Sequence, residues 1–300
     1  LYLDLIIIVR KGIILAGGTG SRLNPITNSV SKQLLPVYNK PMIYYPLSTL
    51  MLAGIRDILI ICNPKDKSLF QQLLLDGKQL GINISFEIQN EPNGIAQAFI
   101  IGEDFLEGNS ATLILGDNLF YGNDLSDKLK KASEKERGAT LFGFQVNDPG
   151  RYGVLEFSSD NIILNIEEKP IKPKSNYAVT GIYFYDCKVV EYAKSLKKSR
   201  RGEYEITDLN NIYLNNGSLT GEIFGRGSAW FDTGTYDSLL EASNFIYTLE
   251  KRQSLKIGIP EEVAWRKGWI SNKDLKRLSK PLMNSSYGKY LFALSNENKI

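Results

Sequence analysis

Along the first half of the chain, apolar residues gather into short, almost unbroken runs, separated by stretches in which they recur with helical spacing. The runs at Gly12–Ala16, Asp57–Ile61, Ile84–Gln89 and Ala111–Asp117 read as strands. Residues 42–53 and 68–75 and a stretch beginning at Ile95 read as helices, with a turn at Glu91-Pro92-Asn93-Gly94. Nearly continuous apolar strands joined by helical crossovers predict an α/β fold: a mostly parallel, twisted sheet covered by helices on both faces. The second half is less regular. Strands are expected at 139–146, 152–157, 162–168 and 178–185, and helices at 187–196 and 205–215. A further helix is expected from Ser238 to Leu249, after Trp230-Phe231-Asp232-Thr233-Gly234. The tail from Pro260 to Leu291 reads as helical, with enough apolar positions to pack.

Length and composition sharpen the picture. A chain of 300 residues suits one α/β core with an appended subdomain. The expected divisions are an extension at 1–9, a core at 10–250 with halves of about 10–125 and 126–250, and a C-terminal region at 251–300. A net charge of +3, with both signs interspersed, argues against nucleic acid or a membrane surface as partner. Cys62 and Cys187 lie far apart without metal-ligand spacing, which fits a reduced, cytoplasmic setting. The apolar stretch Leu1–Val9 is too short to span a bilayer and lacks the basic start and small-residue cleavage site of a signal peptide.

Histidine is absent. That removes histidine-based triads, general bases and metal sites together, leaving carboxylates, lysine, arginine, a metal or backbone dipoles to carry any chemistry.

Candidates follow from where charged residues interrupt the apolar runs. The first strand opens into Gly17-Gly18-Thr19-Gly20-Ser21-Arg22, with Lys32 and Gln33 ten residues further on. Glycines there let bare N–H groups approach an anion, and Arg22 and Lys32 add mobile positive charge. A tight structural turn would look similar. The loop lacks the lysine-serine ending of a P-loop. It also lacks the G-x-G-x-x-G spacing of a dinucleotide fold, and the second strand ends in Cys62-Asn63-Pro64 without an acid, so hydride transfer is disfavoured. Asp117 ends a strongly apolar strand, at the sheet edge where open α/β folds bind ligands, and Asp232 is a second carboxylate of the same kind. Either could merely cap a following segment. Converging on phosphates, the two would hold Mg²⁺ with water filling the remaining positions. Glu168 and Lys169, in Glu167-Glu168-Lys169-Pro170, could be a surface ion pair or could grip the hydroxyls and phosphate of an acceptor. Arg151-Tyr152-Gly153-Val154 offers glycine backbone and an aromatic ring to a sugar face, while Arg200-Arg201 reads most simply as solvated surface.

Together, these segments resemble the sugar-phosphate nucleotidyltransferases. The resemblance runs through Gly-Ile-Ile-Leu-Ala-Gly-Gly-Thr-Gly-Ser-Arg-Leu, Ser-Lys-Gln-Leu-Leu-Pro-Val-Tyr, Gly-Ile-Ala-Gln-Ala-Phe, Gly-Asp-Asn-Leu-Phe-Tyr-Gly, Arg-Tyr-Gly-Val, Glu-Glu-Lys-Pro and Trp-Phe-Asp-Thr-Gly, in consistent order from Arg10 onwards. It implies a Rossmann-like sheet with a small sugar-binding β-rich portion, and a C-terminal, mainly helical oligomerisation and regulatory region. It implies transfer of a deoxythymidylyl group from dTTP to glucose 1-phosphate, giving dTDP-glucose and pyrophosphate, the first step of dTDP-rhamnose synthesis. Transfer of a uridylyl or other nucleotidyl group is the alternative, and a non-catalytic subunit of the same fold a more distant one.

The roles implied for the residues are specific. Leu15, the loop from Gly17 to Arg22, Lys32, Gln33, Gln89, Gly94 and Asp117 would bind the nucleotide. Asn118, Tyr152, Gly153, Glu168, Lys169, Val179 and Arg201 would bind the sugar phosphate, and Asp117 and Asp232 would hold Mg²⁺. Arg22, Lys32, Asp117, Lys169 and Asp232 would carry catalysis. The resemblance further implies a homotetramer inhibited by dTDP-rhamnose at a separate site that includes Tyr121, Gly122, Arg226, Glu262 and Arg266.

Overall fold

A computed structural model describes residues 9–160 and 162–297; the expected extension lies outside the described residues except for Val9. The first strand, β1 (Arg10–Ala16), ends at the glycine loop, and a small hairpin of β2 (Pro36–Val37) and β3 (Lys40–Pro41) leads into helix α1 (Tyr44–Leu52). Then come β4 (Asp57–Cys62), α2 (Lys67–Leu74), β5 (Asn83–Ile88), α3 (Gln97–Ile101), α4 (Glu103–Leu106) and β6 (Ser110–Leu115). Strand β1 pairs in parallel with β4 and β6, and β4 with β5, so the expected parallel core is present.

The second half makes the sheet mixed. After β7 (Asn118–Tyr121) and α5 (Leu125–Ser133) come β8 (Ala139–Gln145), β9 (Gly153–Phe157), β10 (Ile163–Glu168) and β11 (Tyr177–Tyr185). The long β11 runs antiparallel to β6, β8 and β9, and β10 pairs with β9 at one end of the strand order. Helices α6 (Val189–Ser195) and α7 (Ile206–Asn215) follow, then β12 (Leu219–Ile223), parallel to β8, and β13 (Ala229–Asp232), antiparallel to β7. The pairings of β7, β12 and β13 were not foreseen from the pattern, because strands of four or five residues leave little periodicity to read.

Alternation along the strands builds two apolar layers. Ile14, Ile58, Ile60 and Ile114 pack with α1, α2 and α5, whereas Ile13, Leu59, Ile61 and Leu113 pack with α3, α6 and α7. Each fully buried aliphatic side chain stabilises the fold by about 1.5–3 kcal/mol relative to exposure. The long α8 (Tyr236–Arg252) lies over β2 and β7 through Ala242 and Ile246, starting from a capping box of Thr235 and Ser238. Helices α9 (Pro260–Arg266), α10 (Asn272–Ser279) and α11 (Ser286–Leu294) pack on the α1 side of the sheet around Trp265 and Leu291. Among the described residues, no helix is long and apolar enough to cross a membrane.

Candidate active site

The carboxyl ends of β1, β4 and β6 lie side by side, so the segments that leave them converge. Asp117 leaves β6 and is followed at once by β7. The antiparallel register of β7 and β13 sets Asn118 opposite Asp232, which brings the second aspartate beside the first. Thr233 fixes this end of the ribbon, its N–H and hydroxyl donating to the Asp117 carbonyl at 3.1 and 2.8 Å.

Two depressions adjoin here, sharing Arg22. One, of about 240 Å³, is lined by Gly17 to Arg22, Lys32, Gln33 and Gly234. The other, of about 460 Å³, holds Arg22, Asp117, Asn118, Arg151, Tyr152, Gly153, Glu168, Lys169, Val179 and Asp232. The structure thus brings the glycine loop, both aspartates and the Glu168-Lys169 pair to one cleft.

The charges in the cleft shape each other. Lys32 donates to the Asp117 carboxylate, and Asn118 Nδ2 donates to its other oxygen at 3.1 Å. Burial alone would push the Asp117 carboxyl up, but the Lys32 charge and these hydrogen bonds outweigh it and hold the group below its ordinary range. Asp232 goes the other way. Burial and then the Asp117 charge push it up to about 6, against the pull of Lys32, Arg22 and Arg151. Two carboxylates with such mutual repulsion make a site that a cation would relieve. Among the described residues no group of three or more His, Cys, Asp or Glu side chains could hold a metal, so any cation here would draw its further oxygens from ligand and water.

Asn118 is buried and fully engaged. Its Oδ1 accepts from Gly181 N at 3.1 Å and from Trp230 Nε1 at 2.6 Å. Position 181 must be glycine, since a Cβ there would fall 2.4 Å from that oxygen. Trp230 in turn packs on Tyr152, with ring centroids 5.1 Å apart. Across the pocket, Glu168 Oε2 accepts from Thr207 Oγ1 at 2.6 Å, and Lys169 Nζ lies 3.4 Å from Oε1. Lys169 has φ 44°, the left-handed region that non-glycine residues seldom occupy, and its N–H donates to the Tyr152 carbonyl at 3.0 Å.

Other expected residues sit nearby without lining either depression. Gln89 is buried, donating to Gln97 Oε1 at 2.8 Å, and its own Oε1 lies over Gly17. Gly94 packs on the Tyr204 backbone, and Leu15 is the penultimate residue of β1. Arg201 is tied to three acids, Glu203 at 2.7 Å, Glu168 at 3.6 Å and Glu205 at 3.7 Å, and meets the pocket only through Glu168. The sequence reading had not placed Thr207, Gly181, Tyr183 or Gly234 in the site. Thr207 lies in the first turn of α7 with no motif around it, whereas Trp230 and Arg151 were visible inside motifs without an assigned role.

A separate cavity of about 600 Å³ lies between α1, β7 and α9, lined by Tyr121, Gly122, Asn123, Glu262 and Arg266 among others. Arg266 Nε donates to Glu262 Oε1 at 2.7 Å. Arg226 does not line this cavity; it lies exposed in the turn between β12 and β13.

Comparison with known proteins accords with this arrangement. The nucleotidyl transferase family model matches residues 11–248. A glucose-1-phosphate thymidylyltransferase from Xanthomonas campestris is 59% identical over 97% of this chain and 99% of its own length. One from Mycobacterium tuberculosis is 56% identical over 96% and 100%. A crystal structure of a Bacillus anthracis protein described as a glucose-1-phosphate thymidylyltransferase, bound to sucrose, superposes with a TM-score of 0.73 at 44% identity, covering 79% of this chain and 94% of that one. A UDP-glucose pyrophosphorylase bound to UDP-glucose shares the fold, with a TM-score of 0.72 at 24% identity over 81% of this chain and 100% of its own.

Proposed function

This chain belongs to the nucleotidyl transferase family, and from that premise we propose that it transfers a deoxythymidylyl group from dTTP to glucose 1-phosphate, releasing pyrophosphate and forming dTDP-glucose. The observation that carries the reading is the single cleft in which a glycine loop, two adjacent carboxylates and a glutamate-lysine pair face one another. Close, nearly full-length relatives with that activity support the base and the sugar.

A phosphate oxygen of glucose 1-phosphate attacks the α-phosphorus of dTTP in line, and pyrophosphate leaves from the opposite side. The attacking oxygen is already anionic, so no general base is needed, which suits a chain without histidine. Arg22 and Lys32 neutralise the triphosphate from the side of the glycine loop. Lys169 holds the acceptor phosphate, and Glu168 and Tyr152 hold the sugar. Catalysis is then positioning and charge neutralisation. Asp117 and Asp232 would hold Mg²⁺, which when bound supplies Lewis-acid stabilisation of charge on the phosphates.

The remaining assignments belong to the same reading. Residues 10–125 form the nucleotide half, 126–250 the sugar-phosphate half, and 251–300 a region for assembly and regulation. The cavity beside Tyr121 and Arg266 would accept dTDP-rhamnose as inhibitor in a homotetramer. The unpaired Cys62 and Cys187 suit a reducing cytoplasm. A pyrophosphate-release assay across dTTP, UTP, CTP and ATP with several sugar 1-phosphates tests the central claim. Turnover is expected to be fastest with dTTP and glucose 1-phosphate and to need a divalent cation. Faster turnover of another pair would overturn the assignment.

A further inference from the structure

The glycine loop is held from behind by a residue that the catalytic reading does not use. Register pairs Ala16 with Cys62, so the residues that follow them, Gly17 and Asn63, leave the sheet together. Pro64 restricts Asn63 to extended backbone, with φ −68° and ψ 152°, and from there its side chain reaches the loop. Asn63 Nδ2 donates to the Gly18 carbonyl at 2.8 Å and to Asp66 Oδ2 at 3.3 Å. Two oxygens facing one end of the amide fix its orientation, because the amide oxygen turned that way would meet only acceptors. Asp66 is buried, and its other oxygen has no hydrogen-bond partner, so the Asn63 amide is the one side-chain donor to that carboxylate among the described residues.

Gly18 and Thr19 form a wall between two depressions. Arg22, Lys32 and Gln33 line the inner one, and Asn63, Lys65 and Asn90 line the outer one. The Gly18 carbonyl and the Thr19 N–H belong to one planar peptide and point in opposite directions. A carbonyl held outwards by Asn63 therefore turns the Thr19 N–H inwards, towards Arg22 and Lys32. Gly18 has φ 94° and no Cβ to hinder rotation, so this peptide would flip readily if nothing held it. Among the described residues, the N–H groups of Gly18, Thr19, Gly20 and Ser21 have no protein acceptor, which leaves them for an anion.

We infer that Asn63 is a positioning residue for the nucleotide triphosphate: it locks the Gly18–Thr19 peptide with its N–H facing the phosphates, and Asp66 holds the Asn63 amide in turn. The inference rests on the phosphate-binding reading of the glycine loop. The test compares wild type, Asn63→Leu, which keeps the volume without the donor, and Asn63→His, whose Nδ1 stands one bond from Cγ as Nδ2 does. Calorimetry gives the affinity for dTTP and for inorganic tripolyphosphate, kinetics give the KM for glucose 1-phosphate, and melting reports the fold. Asn63→Leu is expected to bind dTTP and tripolyphosphate about tenfold more weakly, with the KM for glucose 1-phosphate and the melting temperature nearly unchanged. Asn63→His should recover most of the loss. Equal dTTP affinity in wild type and Asn63→Leu would overturn the inference, as would a parallel loss for glucose 1-phosphate or failure of the histidine variant to recover. A wild-type protein that binds neither dTTP nor tripolyphosphate would instead remove the phosphate-loop reading itself.

Discussion

Two lysine–carboxylate pairs of the fold have opposite characters. Lys32 and Asp117 face the cleft, each with side-chain exposure near one-seventh, and among the described residues Asp117 has only Lys32 and Asn118 as side-chain donors. Lys40 and Glu250, 3.0 Å apart, are almost completely buried. Glu250 also accepts from Asn39 Nδ2 at 2.8 Å, Lys256 Nζ at 3.0 Å and Ile257 N at 3.1 Å. The second pair is saturated by its own chain and fastens α8 to the β2–β3 hairpin and to the segment after it. The first leaves lone pairs and protons to be completed by something that enters. Similar chemistry thus becomes a staple where every partner is internal, and a site where some are left open.

Removing one carboxylate from each pair separates the two roles. Asp117→Asn should lower kcat by about 10³-fold or more while the melting temperature stays close to wild type; near-normal turnover would sink the cation assignment. Glu250→Ala should do the reverse. It leaves Lys40 buried without its partner and should cost about 3–5 kcal/mol in urea unfolding, with the activity of the folded fraction preserved.

Acid should pull the comparison further apart. Asp232 is raised to about 6 by burial and by Asp117, so its carboxylate is lost early as pH falls. The divalent-cation concentration for half-maximal turnover should therefore climb as pH drops through about 6, and a flat profile between pH 7.5 and 5.5 would contradict this. Burial alone would raise Glu250, but Lys40, the Ile257 amide and Lys256 hold it below its ordinary value. Its contribution to stability is then fully present at neutral pH and is lost only as pH falls below about 4.5, the usual glutamate range. Glu250→Gln should flatten the acid limb of the unfolding curve there. The smallest effect is expected at the sugar side. Thr207→Val removes the hydroxyl that steadies Glu168 and should raise the KM for glucose 1-phosphate about tenfold with little change in that for dTTP.

These regions differed in how far the sequence disclosed them. The glycine loop and Asp117 were legible because each ends a buried, continuously apolar strand, where a polar or glycine residue stands out. The parallel character of the sheet part built from β1, β4, β5 and β6 followed from the same runs. Asp232 was paired with Asp117 only as the resemblance implied, because the register that sets them side by side lies in β7 and β13, strands of four residues each with no periodicity to read. Thr207 and Gly181 carried no local signal; their roles exist only through Glu168 and Asn118, which arrive from elsewhere in the chain. The resemblance gave Arg201 and Arg226 a binding role each. In the fold one is bound by three acids and the other stands apart from the cavity it was expected to line.

The β7–β13 ribbon also has a consequence for the order in which the protein comes into being. Thr233 and Asp117 are 116 residues apart, yet their hydrogen bond closes the end of the carboxylate pair. During synthesis the glycine loop, Arg22, Lys32 and the first aspartate leave the ribosome well before Asp232 exists. The nascent chain could hold a nucleotide loosely for that interval without being equipped to transfer it. Turnover would begin only when the late ribbon closes, a long-range contact that is slow to form by virtue of its sequence separation.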